Sequence, residues 1–101
     1  MARILIPVRY AAWLSGELGT RIERTLRHGL ASMDAHIQRM PRGILVESNE
    51  AAGPFLEEVR RAVAELEQGV QEAYPMFHRE MGPLWTGTLQ VLFPDPERAP
   101  M

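Results

Sequence analysis

The sequence predicts an α/β (or α+β) domain in the order β-α-β-α-β, with two amphipathic helices on one face of a three-stranded sheet. Two long stretches carry apolar residues at alternating three- and four-residue spacing, and three short apolar stretches have the length of strands. Prolines and glycines separate these stretches, as they do between the elements of small domains. A mostly α-helical hairpin is the alternative, because Pro7 is also a suitable first residue of a helix.

Length and composition fit one domain over residues 1–93, followed by a disordered proline-rich tail over residues 94–101. The chain has 101 residues, of which 46% are hydrophobic and 24% are charged, and it has no cysteine. Disulfides and thiolate metal sites are therefore excluded. No apolar run approaches the roughly 20 residues that a membrane span needs, and the N-terminus lacks the pattern of a secretory signal. We therefore predict a cytoplasmic protein without a membrane segment.

Charge is unevenly distributed along the chain, whose net charge is −2. Residues 1–46 contain seven arginines and three acidic residues, whereas residues 47–101 contain four arginines and ten acidic residues. The two halves can attract each other within one chain or between two chains. Every basic residue is an arginine, whose planar guanidinium group forms paired hydrogen bonds with carboxylates and phosphates.

The first strand is predicted over Arg3–Val8, a continuous apolar segment that contains two β-branched isoleucines. Pro7 has no N–H to donate, so the strand either ends there or lies at a sheet edge there. The connection Tyr10–Gly19 contains two glycines and is predicted to be a loop or a loose turn.

The first helix is predicted to begin near either Ser15 or Thr20, where Thr20-Arg21-Ile22-Glu23 fits the capping box, and to end before Pro41. Apolar residues recur on one face along the whole stretch, at Leu18, Ile22, Leu26, Leu30, Met33, Ile37 and Met40. The opposite face is polar and mostly basic, which makes this helix the candidate for binding an anion.

The rest of the chain predicts a short strand at Ile44–Val46, a polar turn at Glu47–Gly53 and a second helix over Pro54–Tyr74. Pro75 then ends or kinks this helix. A third strand is predicted over Leu84–Phe93, where side chains of alternating residues would face opposite ways. Helix-long connections between successive strands favour parallel crossovers.

The leading functional prediction is a small non-enzymatic protein that associates with a copy of itself or with another protein. Three strands leave one sheet face and two edges open, and the second helix has a long apolar stripe that must be covered. The predicted interface residues are Trp13, Leu56, Val59, Val63, Leu66, Val70, Phe77 and Trp85.

Two alternatives remain open. A small-molecule or nucleotide-binding domain would have its site at the carboxyl ends of parallel strands, near Arg9–Gly19 and Glu47–Gly53. A nucleic-acid-binding protein would use the arginine-lined first helix, although the chain as a whole is acidic. The predicted anion-binding residues are Arg9, Arg21, Arg24, His28 and Arg39.

No sequence motif assigns a reaction. His28 and His36 would stand about 12 Å apart along one helix, too far to share a metal ion. The glycine pattern matches no phosphate-binding fingerprint, and no serine lies in a nucleophile elbow. We predict no catalytic residue, metal ligand or cofactor, and the question of enzymatic activity stays open.

Overall fold

The structure, a computed structural model, describes residues 2–92, and within this range the chain forms four strands and three α-helices. The strands are β1 (Ala2–Pro7), β2 (His36–Met40), β3 (Gly43–Ser48) and β4 (Gln90–Leu92). The helices are α1 (Gly16–Gly29), α2 (Ala52–Ala73) and α3 (Pro75–Met81). The predicted fold class is confirmed, with one strand more than expected. The predicted disordered tail, residues 94–101, lies outside the described residues.

Neighbouring strands of the sheet are antiparallel throughout, in the order β2-β3-β1-β4. The two central strands pair from Ala2 opposite Ser48 to Pro7 opposite Gly43. Each helical connection joins two strands of the same direction, with an antiparallel strand between them. The predicted parallel crossover from Arg3–Val8 to Ile44–Val46 is wrong, because these segments are the antiparallel neighbours β1 and β3 and the strand that follows α1 is β2. The order βαββαβ with split β-α-β units is the ferredoxin-like arrangement.

Both long helices cover the same face of the sheet. Ile4, Ile6, Ile44 and Val46 alternate along β1 and β3 and are at most 1% exposed. They form one core with α1 and α2, whose buried residues include Ile22, Leu26, Phe55, Val59, Val63, Leu66 and Val70. The buried residues of α2 recur at three- and four-residue intervals, so the apolar stripe predicted for this helix is largely confirmed.

The first helix is shorter than predicted, because α1 ends at Gly29 and residues 36–40 form β2. Asp34 adopts the left-handed conformation (φ 52°) just before this strand, which aspartate tolerates better than most residues do. Ile37 then faces the core at 4% exposure, whereas its neighbours His36 and Gln38 are exposed. The helical spacing of the apolar residues after Leu30 is therefore coincidental.

The β2–β3 hairpin turns at Pro41 and Arg42, and Met40 pairs with Gly43. A Cβ atom at Gly43 would overlap the carbonyl oxygen of Ile6 on the neighbouring strand. Glycine is therefore required for the close approach of β3 to β1.

Pro75 ends α2 as predicted, and it also begins α3 as its first residue, a position where the missing N–H is not needed. Tyr74 lies between the two helices. The third predicted strand, Leu84–Phe93, is interrupted within the described residues: Gln90–Leu92 pair with β1 as β4, and Trp85 forms an isolated antiparallel bridge with Val8. Phe93 lies outside the described residues.

Candidate functional site

Arginines from two separate elements converge on one side of the domain. Arg21 and Arg24 lie on α1 and Arg39 lies on β2, and all three line one concave surface together with Tyr74. Arg24 and Arg39 also line an adjoining surface with Arg27 of α1. We call Arg21, Arg24, Arg27 and Arg39 the arginine patch. Three of the five predicted anion-binding residues thus lie together, although Arg39 reaches this surface from a strand and not from the predicted helix.

Ion pairs with Glu23 hold two members of the arginine patch, Arg39 and Arg27, in place. Arg39 Nε lies 3.0 Å from Glu23 Oε1, and Arg39 Nη1 donates a hydrogen bond of 3.1 Å to the carbonyl oxygen of Leu14. Arg27 Nη2 lies 2.7 Å from the other oxygen of Glu23. Arg24 forms no ion pair with any residue in the range 2–92. Glu23 therefore holds Arg27 and Arg39 in place, whereas Arg24 can reorient.

The net charge of this surface is positive. Glu17 and Glu23 are the acidic residues that line it, against the four guanidinium groups of the arginine patch. On the outer face of α2, Glu58 and Glu65 are instead engaged by Arg61, which also donates to the carbonyl oxygen of Gly29 at the end of α1. Within residues 2–92, no acidic residue of the chain's second half lines the patch.

Tyr74 contributes an aromatic ring to the same surface. Arg21 Nη1 donates a hydrogen bond of 2.7 Å to the Tyr74 hydroxyl oxygen, and the guanidinium carbon lies 5.8 Å from the ring centroid. A cation beside an aromatic face is favourable, so this contact orients both side chains. Sequence analysis missed Tyr74, since 53 residues separate it from Arg21.

The remaining predicted anion-binding residues lie elsewhere. Arg9 follows β1, where its side chain lies near Gly82 and beside the ring of Tyr10. His28 is exposed in the last turn of α1 and lines neither concave surface of the arginine patch.

The predicted strand-end site is not formed. β1 and β3 are antiparallel, so Glu47 lies beside Arg3 at the start of β1, with 2.8 Å between Arg3 Nε and a Glu47 carboxylate oxygen. Arg9 lies beyond the opposite end of β1, roughly 20 Å away by strand rise. The two loops expected to meet therefore lie at opposite ends of the sheet.

The predicted interface residues lie mostly in the core of this chain. Trp13, Val59, Val63, Leu66 and Val70 are at most 5% exposed, and Leu56, Phe77 and Trp85 pack against them while partly exposed. The apolar stripe of α2 is thus covered by its own chain. The predicted interface itself is not tested by a single chain and stays a prediction.

A second polar cluster surrounds Glu67 on α2. Both its carboxylate oxygens accept the N–H of Leu84 at 2.9 Å, and one lies 2.8 Å from His78 Nε2. The cluster joins α2, α3 and the segment after α3, and we assign it a structural role. Sequence analysis did not identify it, because Glu67 and its partners are 11 and 17 residues apart.

Other kinds of site find no support within residues 2–92. No three His, Asp or Glu side chains converge in a way that could hold a metal ion. In the same range, no helix combines the length and the apolar character that crossing a membrane requires.

The comparisons with known proteins give a fold relative. No family model and no curated protein matches the chain. A crystal structure described as that of "a putative transposase" from Deinococcus radiodurans R1 is similar, with a TM-score of 0.63 at 18% sequence identity. The match covers 97% of this chain and 82% of that one. At this level of identity, the similarity shows a shared fold.

Proposed function

We propose that the protein binds the phosphate backbone of nucleic acid through the arginine patch. The observation that carries the proposal is the convergence of Arg39 on β2 with Arg21 and Arg24 on α1, in a chain of net charge −2. Arginine forms paired, charge-assisted hydrogen bonds with phosphate oxygens, and several such contacts supply the sequence-independent part of nucleic-acid affinity. The protein of similar fold is described as "a putative transposase", and that description agrees with the proposal.

Fluorescence anisotropy with labelled oligonucleotides tests this function. We expect binding at low salt that weakens steeply as salt rises. A logarithmic slope of about −2 to −3 corresponds to three or four phosphate contacts. Arg24→Gln should weaken binding about fivefold at low salt and reduce the slope by about 1.

Arg60→Gln is the matched control. Arg60 is exposed on α2 and lies outside both concave surfaces of the patch, so this variant removes the same charge from another place. Equal weakening by the two variants would assign binding to net charge alone. No binding to any oligonucleotide at low salt would disprove the proposed function.

Self-association through the sheet is a second candidate. The face turned away from the helices carries Leu5 of β1 directly opposite Leu45 of β3, and β2 and β4 are the edge strands. Leu45 is 7% exposed, so the apolar surface on this face comes mainly from the partly exposed Leu5. Together with two edge strands that lack a second neighbour within residues 2–92, it favours pairing with another copy. Light scattering tests this: a dimer that Leu5→Glu converts to a monomer would support it, and a monomer at high protein concentration would exclude it.

A further inference from the structure

A cavity between α1 and α2 adjoins the arginine patch. Its volume is about 150 Å³. The wall is mostly aliphatic, and its lining includes Leu18, Ile22, Leu66, Val70 and Ala73. Polar groups lie at Thr25, Arg21 and Tyr74. The space is thus an apolar slot with a few polar groups, as ligand sites usually are.

Gly69 keeps this cavity open. It lies on α2 among the lining residues, and a Cβ atom added there would meet no atom within 4 Å. Glycine inside a helix is less favourable than alanine, and no close neighbour requires it at this position. A side chain at residue 69 could therefore fill the cavity without displacing the backbone.

The cavity and the arginine patch share two residues. Arg21 and Tyr74 line both the cavity and the concave surface of the patch. Their side chains meet in the hydrogen bond of 2.7 Å between Arg21 Nη1 and the Tyr74 hydroxyl. A ligand with a flat ring in the cavity would therefore hold its attached charged group next to Arg21 and Arg24.

The volume of the cavity limits the size of the ring that it can hold. This cavity is open to solvent on one side, and the space of about 150 Å³ that it encloses matches one benzene-sized ring. A pyrimidine base has one such ring with a polar edge, whereas a purine has two fused rings. The polar edge of a pyrimidine could face Thr25 and the Arg21–Tyr74 pair.

We propose that this cavity takes one pyrimidine base of a single-stranded nucleic acid, whose adjoining phosphates lie on Arg21, Arg24 and Arg39. This inference rests on the proposed function, and it adds strand and base selectivity to it. A base inside a duplex is stacked and paired, so it reaches a pocket only after costly extrusion. Single strands offer their bases freely and bind proteins by combining charge with ring contacts.

Competition between oligonucleotides, measured by fluorescence anisotropy, distinguishes binding of the base from binding of the phosphate backbone. We expect short oligothymidine to bind about tenfold more tightly than an abasic strand of equal length and charge, which is the usual size of a single base contact. It should also bind more tightly than oligoadenine and than a duplex. Equal affinity for the abasic strand would overturn the base pocket while leaving phosphate binding intact. Equal affinity for oligoadenine would overturn the preference for pyrimidines.

Gly69→Leu tests the place of binding. The leucine side chain should fill the cavity, remove the advantage of oligothymidine over the abasic strand and leave affinity for the abasic strand unchanged. Gly53→Leu is the matched control, because Gly53 also lies in α2 with no atom within 4 Å of an added Cβ.

Each result separates the two proposals. Thermal melting should show both leucine variants folded. If Gly69→Leu keeps the full preference for oligothymidine, the base binds elsewhere and the inference is wrong. If the unaltered protein binds no strand at all, the proposed function fails first, and the pocket inference fails with it.

Discussion

Glu23 on α1 and Arg39 on β2 form an ion pair, with 3.0 Å between Oε1 and Nε, that attaches the edge strand to the first helix. The same carboxylate also holds Arg27. One acidic residue thus positions two guanidinium groups of the arginine patch while partly neutralising them. Its contribution to stability and its effect on phosphate binding should have opposite signs.

Glu23→Gln tests that opposition. Removing the carboxylate charge should lower the free energy of unfolding by about 1 kcal/mol, because two partly exposed ion pairs are weakened. It should also tighten oligonucleotide binding, because the patch gains one net positive charge. Urea denaturation and anisotropy measure the two effects. Glu57→Gln, at an exposed position on α2, makes the same charge change away from the patch, and an equal gain in affinity there would contradict the explanation.

Glu67→Ala should be clearly destabilising. The variant leaves the N–H of Leu84 without its acceptor and removes the partner of His78. An unsatisfied, partly buried donor and a lost charged acceptor together should cost about 2 kcal/mol. Glu72→Ala, which removes an exposed carboxylate from the same helix, should change stability by less than about 0.5 kcal/mol. Similar denaturation midpoints for the two variants would show that the Glu67 cluster is not a stabilising contact.

Gly43→Ala and Gly53→Ala should have effects of opposite sign. At residue 43 the added methyl group overlaps the carbonyl oxygen of Ile6, so the strands must separate at a cost of about 2–3 kcal/mol. At residue 53 it meets nothing, and alanine should stabilise α2 by about 0.5–1 kcal/mol. Calorimetric melting temperatures measure both. A neutral Gly43→Ala variant would mean that β1 and β3 are not held as closely as the structure has them.

Acid should weaken the contact between Arg61 and Glu58. The hydrogen bond from Arg61, followed by its positive charge, holds the pKa of Glu58 below its ordinary value of 4.5. A carboxyl pKa that is depressed in the folded state contributes stability above the unfolded pKa and loses it as pH falls through the folded pKa. The contribution should therefore begin to fall near pH 4.5 and be lost once the pH is below the folded pKa of Glu58.

Carboxyl-carbon NMR titration checks this directly. The Glu58 midpoint should lie below 4.5 in the unaltered protein and move upward in Arg61→Gln. A Glu58 midpoint that does not respond to the substitution would rule out the proposed cause.

The spacing of apolar residues was sufficient to predict the elements that bury one continuous stripe of apolar side chains. The extent of α2 and its end before Pro75 follow from spacing and from proline chemistry, and β1 follows from its β-branched apolar run. Residues 30–40 were predicted wrongly, because Leu30, Met33 and Ile37 have helical spacing by chance. A competing signal was present: the Pro41-Arg42-Gly43 turn directly before an apolar strand is typical of a hairpin.

The candidate site could be predicted only in part. Arg21 and Arg24 share a helix face, so local spacing identifies them. Arg39 was named for the wrong reason, since its place depends on the hairpin that folds β2 against α1. Tyr74, Glu67 and the cavity beside Gly69 depend on how α2 lies against the rest of the chain. Spacing within one element carries no information about such distant neighbours.

Tyr74, the aromatic residue that lines the cavity, directly precedes α3, so its position depends on how firmly α3 is attached. This helix has seven residues, none of them fully buried. Its contacts with the rest of the domain include that of His78 with Glu67 and that of the Phe77 ring with Trp13, at 4.7 Å between centroids. So lightly anchored a segment should open and close on its own well below the temperature at which the sheet melts. Each opening of α3 would release the backbone next to Tyr74. The time for which α3 stays closed would therefore limit how long a ring remains bound in the cavity.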